Sequence, residues 1–340
     1  MWHPCSGRCF PATCSWKSGH GCPGDGRPDP AAADLPGGLD DERAKSVPYR
    51  CRVFPLVWRE IMTFFWFSAA LVLELIATGG FIVYIIKQHK WVFRYAYWVL
   101  VAGFAFHTLF LVCRYYTLGT FPVLGLKSAL SFFSWCIILA YLLLQIRFKL
   151  MVLGSFVAPL AVFLMIVSST LPRVEVPVRP LFRSLWLTVH VGTVFLGNGL
   201  FAITFLAAVM YLIQERSIKN KKLGSFYNRL PSLATLDAIN YQALIYGFPL
   251  LTVGMITGSI YAQCALGSYW QWDPKEVWSL ITWLFYAALL HERLTVGWRG
   301  RRAAIMSIVC FCILIFTFLG ASIWFGGYHS FESLGAGDRP

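Results

Sequence analysis

The stretch "SYWQWDPKEVWSLITWLFYAALLHERLTVGWRGRR", residues 268–302, carries three kinds of chemistry in succession. It opens with Tyr269, Trp270, Trp272 and Trp278 crowded around an Asp-Pro turn, runs on as an apolar segment over 277–292, and ends in Arg293, Arg299, Arg301 and Arg302. Asp273 has the oxygen that an N-cap needs, Pro274 suits the first helical position, and Glu276 stands three residues on, as in a capping box. Trp272 and Val277 have the spacing of a hydrophobic staple around that cap. An aromatic entrance, an apolar helix and an arginine-rich exit make up the pattern of a membrane span. Trp and Tyr favour the membrane–water interface, and Lys and Arg collect in cytoplasmic loops.

The rest of the chain obeys the same pattern. Of its 340 residues 57% are hydrophobic and 13% charged, against about 25% charged in soluble domains, and the mean hydropathy is +0.61. Apolar runs close to the ~20 residues that cross a bilayer as helix fall at 61–86, 92–112, 128–147, 150–168, 185–213, 241–261, 277–292 and 303–325. The expected fold is all-α, a polytopic transmembrane bundle of about eight spans with a short external Trp-rich loop. "RFKL" alone separates the third span from the fourth. The loops at 87–94, 147–149, 214–229 and 293–302 are strongly basic, and the alternate ones are poorer in Lys and Arg. The basic set is therefore cytoplasmic, and the Trp-rich loop and C-terminus lie outside. The net charge of +13 is then mostly topology and not a nucleic-acid surface.

Three regions follow: a tail over 1–60, a membrane domain over 61–333 and a C-terminal tail over 334–340. The first is rich in Gly, Pro, Cys and charge and reads as disordered, or as an upstream mis-start with Met62 the initiator. Cys5, Cys9, Cys14 and Cys22, with His3 and His20, fit no paired zinc spacing. Cys113, Cys136, Cys264, Cys310 and Cys312 read as small hydrophobes.

Of seven histidines, four belong to the spans or their ends: His107, His190, His291 and His329. His190 lies about one turn below the outer surface, and His329 just beyond the outer end of the last span. Two histidines and a shelf of tryptophans on one membrane face describe two axial ligands beside a flat apolar molecule. Haem fits: neutral imidazoles bind its iron, flat rings pack on the porphyrin, and Lys275, with Arg173, Arg179 or Arg183, meets the propionates. The bland reading of the loop is an interfacial aromatic belt, and that of His107 is a hydrogen bond to a neighbouring helix. No C-x-x-C-H occurs, so the chain is not itself an ordinary c-type cytochrome.

"YWQWDPKEVWSLITWLFYAALLH" resembles the WWD signature of the haem-handling membrane proteins of cytochrome c biogenesis. "LWLTVHVGTVFLGNGLFAITF", "HERLTVGWRGRRAA" and "FLGASIWFGGYHSF" resemble its CcsA (ResC-like) branch, over about residues 60–333. The resemblance implies haem b held transiently between His190 and His329. Tyr269, Trp270, Trp272 and Trp278 would form the platform, and Asp273 and Lys275 the rim. It implies a second haem site inside the membrane, with His291 at the family's position and His107 as candidate partner, although their expected depths differ by roughly 15 Å. It further implies thioether attachment to the CXXCH thiols of apocytochrome c and a separate CcsB/ResB-like membrane subunit. The outer compartment is a periplasm, a Gram-positive exterior or a thylakoid lumen, and a bacterial inner membrane with the loop in the periplasm is the expectation taken, on general plausibility. No catalytic residue is assigned; the chain would be the haem-handling part of a cytochrome c synthase. One departure stands out, Leu266-Gly267 where the family commonly has Trp-Gly. The competing reading is a b-type haem electron carrier, and a third is a haem-responsive regulator.

Overall fold

Hydropathy marks what lipid tolerates, whereas caps and left-handed residues decide where each helix stops. The computed structural model describes residues 49–123, 125–149, 151–172, 184–221 and 229–320. The chain divides into Met1–Val53 and Phe54–Pro340, and of the first unit only the start of a helix is described. That helix, α1, is Tyr49–Lys87. Gln88 (φ 58) turns it directly into α2, Lys90–Leu118, which Gly119 (φ 65) closes. Helix α3, Leu126–Phe148, ends at Lys149 in the left-handed conformation (φ 52), inside the "RFKL" boundary expected from sequence. Helix α4 is Gly154–Thr170. Helices α5, Leu185–Lys219, and α6, Leu233–Leu266, start at Ser184 and Ser232, whose hydroxyls accept from the N–H groups of Trp186 and Thr235. Helix α7 is Pro274–His291 and α8 is Arg301–Ile315, each continued by a π-helical turn, Glu292–Val296 and Phe316–Gly320.

Among the described residues, six helical segments are long and apolar enough to cross a membrane: Glu60–Lys87, Lys90–Leu118, Leu126–Phe148, Leu185–Lys219, Leu233–Leu266 and Arg301–Gly320. The shorter α4 and α7, the latter with Lys275 and Glu276 in its first turn, bring the described helices to eight. The protein is an all-α integral membrane bundle, as its sequence leads one to expect. The helices outrun their apolar cores: α6 begins eight residues before the expected span at 241, because Ser232 caps it there. Residues 321–325 of the expected last span lie outside the described residues.

Helix α3 is the most enclosed, with 78% of its apolar window buried. Lipid gives helices little hydrophobic reason to associate, so close packing at small residues must hold them. A Cβ on Gly199 of α5 would lie 2.8 Å from the Cys136 carbonyl oxygen of α3, so the two backbones nearly touch. Phe201 of α5 stacks on Tyr286 of α7 with ring centroids 3.6 Å apart.

Polar ties add specificity at both ends. At the arginine-rich end, Arg293 is buried, pairs with Asp237 Oδ2 at 3.0 Å and donates to Asn240 Oδ1 at 2.8 Å. Asn240 Nδ2 donates in turn to Thr204 O and Ser307 Oγ, which joins α5, α6, α8 and the turn after α7. At the other end, the hydroxyls of Thr282 and Thr317 are 2.8 Å apart.

Candidate functional site at the tryptophan-rich end

The cap that opens α7 forms as its sequence demands. Asp273, 5% exposed, accepts the Lys275 N–H on Oδ2 at 3.3 Å. Glu276 Oε2 accepts the Asp273 N–H at 3.4 Å and the Gln271 N–H at 2.8 Å. Trp272 takes a left-handed φ of 56°, uncommon for a bulky residue and a mark of a constrained segment. At 79% exposure its ring stands away from the helix, which leaves little of it for the expected staple on Val277. It meets Trp270 edge to face at 6.0 Å instead.

The loop is pinned from both sides. Gly267 (φ 78) closes α6, the Ser268 hydroxyl donates to Trp270 O, and Gln271 Nε2 donates to Ser268 O. Ser259 Oγ of α6 donates to Tyr269 O at 2.7 Å. Tyr269 and Trp272 are exposed and Trp270 is half-buried. Trp278 is set apart: its ring packs on Phe316 after α8, with centroids 4.5 Å apart, and its carbonyl accepts from Thr282 and Thr317. Three aromatics thus belong to the loop and the fourth braces α7 against α8.

His190 comes to the same stretch of α6. It lies five residues into α5, about 7.5 Å along the axis, and its Nδ1–H donates to Gly254 O at 2.7 Å. A carbonyl only accepts, so Nδ1 carries a proton. That is the usual arrangement of a metal-binding imidazole, whose second nitrogen is held by a backbone oxygen. The ring lies over Gly258, where a Cβ would come within 2.4 Å of Cε1. Ser259, the next residue, is the anchor of Tyr269. One run of α6, 254–259, therefore holds both the imidazole and the aromatic loop, and an imidazole so held is a donor of the kind that binds haem iron.

Lys275 is half-buried in the first turn of α7, ahead of the apolar segment. Burial pushes its ammonium down to about 8, against the opposing pull of the Asp273 carboxylate. An anionic group arriving there at neutral pH would be met by a lysine that is still mostly charged.

The remaining candidates are dispersed. His329, Arg173, Arg179 and Arg183 lie outside the described residues. His107 is 0% exposed, with Nδ1 3.1 Å from Glu74 Oε1 and Nε2 3.1 Å from Ser131 Oγ. With the Nδ1–H given to the carboxylate, the Nε2 lone pair takes the serine proton, so the ring ties α1, α2 and α3 together. His291 is exposed at the last residue of α7, two residues from Arg293 at the opposite end of the bundle. The structure does not bring His107 and His291 together. Among the described residues no group of three His, Cys, Asp or Glu side chains forms a metal cluster. Cys136 and Cys310 are buried as expected of small hydrophobes, whereas Cys264 and Cys312 are exposed.

Two features went unread in the sequence. Glu74 is a carboxylate inside an apolar span, and that rarity was itself the signal. Gly254 and Gly258 form a small-x-x-x-small pair, the sign of a close helix crossing.

Comparison with known proteins follows this geometry. The profile of the family described as "Cytochrome C assembly protein" matches residues 123–329. The cytochrome c biogenesis protein CcsA of Guillardia theta is 33% identical over 266 residues, covering 73% of this chain and 88% of that protein. CcsA of Chlamydomonas reinhardtii is 37% identical over 232 residues, 66% of this chain and 64% of the relative. CcsA of Synechococcus sp. (strain CC9605) is 31% identical over 258 residues, 68% of this chain and 84% of the relative. Among solved structures, the cytochrome c heme lyase CcmF is alike in fold, with a TM-score of 0.56 at 18% identity. The alignment covers 77% of this chain and about half of the lyase, 47%. The matched region takes in α3 to α8 with the aromatic loop and His190, and the chain belongs to the cytochrome c assembly protein family as a CcsA-like member.

Proposed function

We propose that this chain holds haem at its tryptophan-rich end and presents it for covalent attachment to apocytochrome c. The observation that carries the reading is the convergence on α6: Gly254 fixes the His190 proton while Ser259 holds Tyr269. His190 and His329 are the proposed axial ligands. Tyr269, Trp270 and Trp272 form the platform, Trp278 supports it from α7, and Asp273 shapes the rim by holding the cap. Haem b is the cargo; once bound, it supplies the vinyl groups across which the CXXCH thiols add, each sulfur to one carbon and its proton to the other. The chain's own part is to orient the ring, shield one face with indoles and neutralise propionates through Lys275.

The arginine-rich end faces the cytoplasmic side under the positive-inside tendency, which directs the Trp-rich loop to the opposite compartment, a periplasm, a Gram-positive exterior or a thylakoid lumen. His291, exposed at the cytoplasmic end, is the proposed point where haem is received. We assign no iron to His107, because both its ring nitrogens are engaged. A CcsB/ResB-like membrane subunit is the proposed partner, the two together acting as a cytochrome c synthase. The relatives' names, two of the matched kinds being biogenesis protein and heme lyase, support the direction.

The test is an absorption spectrum of the detergent-purified protein, co-expressed with that partner, beside a His190→Ala/His329→Ala double variant. Loss of the low-spin haem signal, with cytochrome c maturation restored by added imidazole, is the expected result. Unchanged haem and normal maturation in the variant would refute the ligand assignment and return the choice to a haem held permanently within the bundle.

A further inference from the structure

We propose that Gly254 and Gly258 are positioning residues for the His190 imidazole, the first through its carbonyl and the second through its missing side chain. This rests on the reading of His190 as a haem ligand. The carbonyls of a helix are screened sideways by the side chains one turn on, because residues i and i+4 share a face. A ring from a neighbouring helix reaches such an oxygen only where those side chains are absent. At Gly258 a Cβ would sit 2.4 Å from His190 Cε1 and 2.6 Å from Nδ1, closer than real Cβ contacts, so the ring would have to leave its place. At Gly254 a Cβ would come 2.4 Å from Val194 Cγ2 and 3.2 Å from Thr193 Oγ1. That would push α5 outward and lengthen the 2.7 Å bond that fixes the ring proton.

The two glycines therefore act through His190 and touch no haem themselves. The loop makes their placement matter further, since Ser259 ties Tyr269 to the same turn. A displaced imidazole and an undisturbed aromatic shelf would no longer be in register. Replacing Gly258 has a local meaning that replacing another interface glycine lacks. Gly197 supplies the contrast: its Cβ would meet Gly247 O and Leu251 N at 3.1 Å, on the same α5–α6 contact and away from the ring.

The test compares Gly258→Ala, His190→Ala, Gly197→Ala and the double variant Gly258→Ala/His190→Ala. Each is purified with the partner subunit, and low-spin haem is measured per folded protein with and without imidazole. Gly258→Ala should fall to within about twofold of His190→Ala and recover at least partly with imidazole, while Gly197→Ala keeps its haem per folded molecule. Adding Gly258→Ala to His190→Ala should change nothing further, because no ring remains to collide. A normal spectrum in Gly258→Ala, with the signal lost in His190→Ala, overturns the positioning role and leaves the ligand standing. A normal spectrum in His190→Ala overturns both. If Gly258→Ala fails to accumulate, its recovery in the double variant supports the proposal, and equal failure of both refutes it.

Discussion

Replacing His107 by alanine tests whether the buried histidine holds helices or iron. The ring ties Glu74 of α1 to Ser131 of α3, and neither the imidazole nor the carboxylate is exposed to any extent. Glu74 Oε2 has no hydrogen-bond partner, so Oε1 is the only satisfied atom of that carboxylate. An interhelical hydrogen bond in a membrane contributes about 0.6 kcal/mol on average, too little to decide the outcome. Leaving the buried carboxylate without its donor is the larger effect, about 1–3 kcal/mol or more for a charged group. The expected loss is therefore about 3 kcal/mol. Glu74→Ala leaves only a neutral imidazole nitrogen unsatisfied, about 1–3 kcal/mol, and should cost less. The double variant should cost less than the sum of the two. Unfolding in mixed micelles measures all three, and the haem spectrum per folded protein should stay unchanged throughout. A variant of His107 that folds normally and loses haem would refute the reasoning and make the residue a ligand.

Asp273→Ala removes the N-cap of α7 and should cost about 1 kcal/mol in thermal unfolding, with Asp273→Asn much milder because the amide oxygen still accepts. Lys275, lowered to about 8 by burial, loses its charge as pH rises through that value. Haem retention should therefore decline between pH 7 and 9, follow no such course in Lys275→Arg, and start low in Lys275→Ala. A flat wild-type profile would remove Lys275 from the propionate role. The same lowered value means that folding stability contributed by this group rises with pH between about 8 and its ordinary 10.5, opposite in sign to the haem effect, so the two are separable. Arg293→Met removes the donor to Asn240 Oδ1 and the ion pair of Asp237, which keeps the Gly300 N–H, and should cost about 1–3 kcal/mol in the unfolding assay, with haem per folded protein unaltered.

The entrance to α7 was legible residue by residue, because capping is local chemistry. Asp273, Pro274 and Glu276 lie within four residues, and their bonds close on themselves. The membrane fold was legible for an equally direct reason: lipid admits only helices and closed barrels, whose backbone polar groups satisfy one another, and apolar runs of about 20 residues are the mark of the helix. Helix ends were less so, since α5 and α6 continue past their apolar cores to caps that hydropathy does not weigh. The lesson of Trp272 is similar, for the staple spacing was right while its left-handed backbone turned the ring outward.

By itself, then, the sequence determined an all-helical membrane protein, the position and cap of its aromatic loop, and the candidate histidines. Only the tertiary structure decided which groups His107 and His190 meet. His190 finds its carbonyl 64 residues away on α6, and His107 finds its carboxylate and hydroxyl 33 and 24 residues away. Such partners are chosen by how closely two helices approach. That approach depends on absent side chains at Gly254 and Gly258, a small-x-x-x-small spacing that marks a close crossing but does not say which helix, or which side chain of it, packs there.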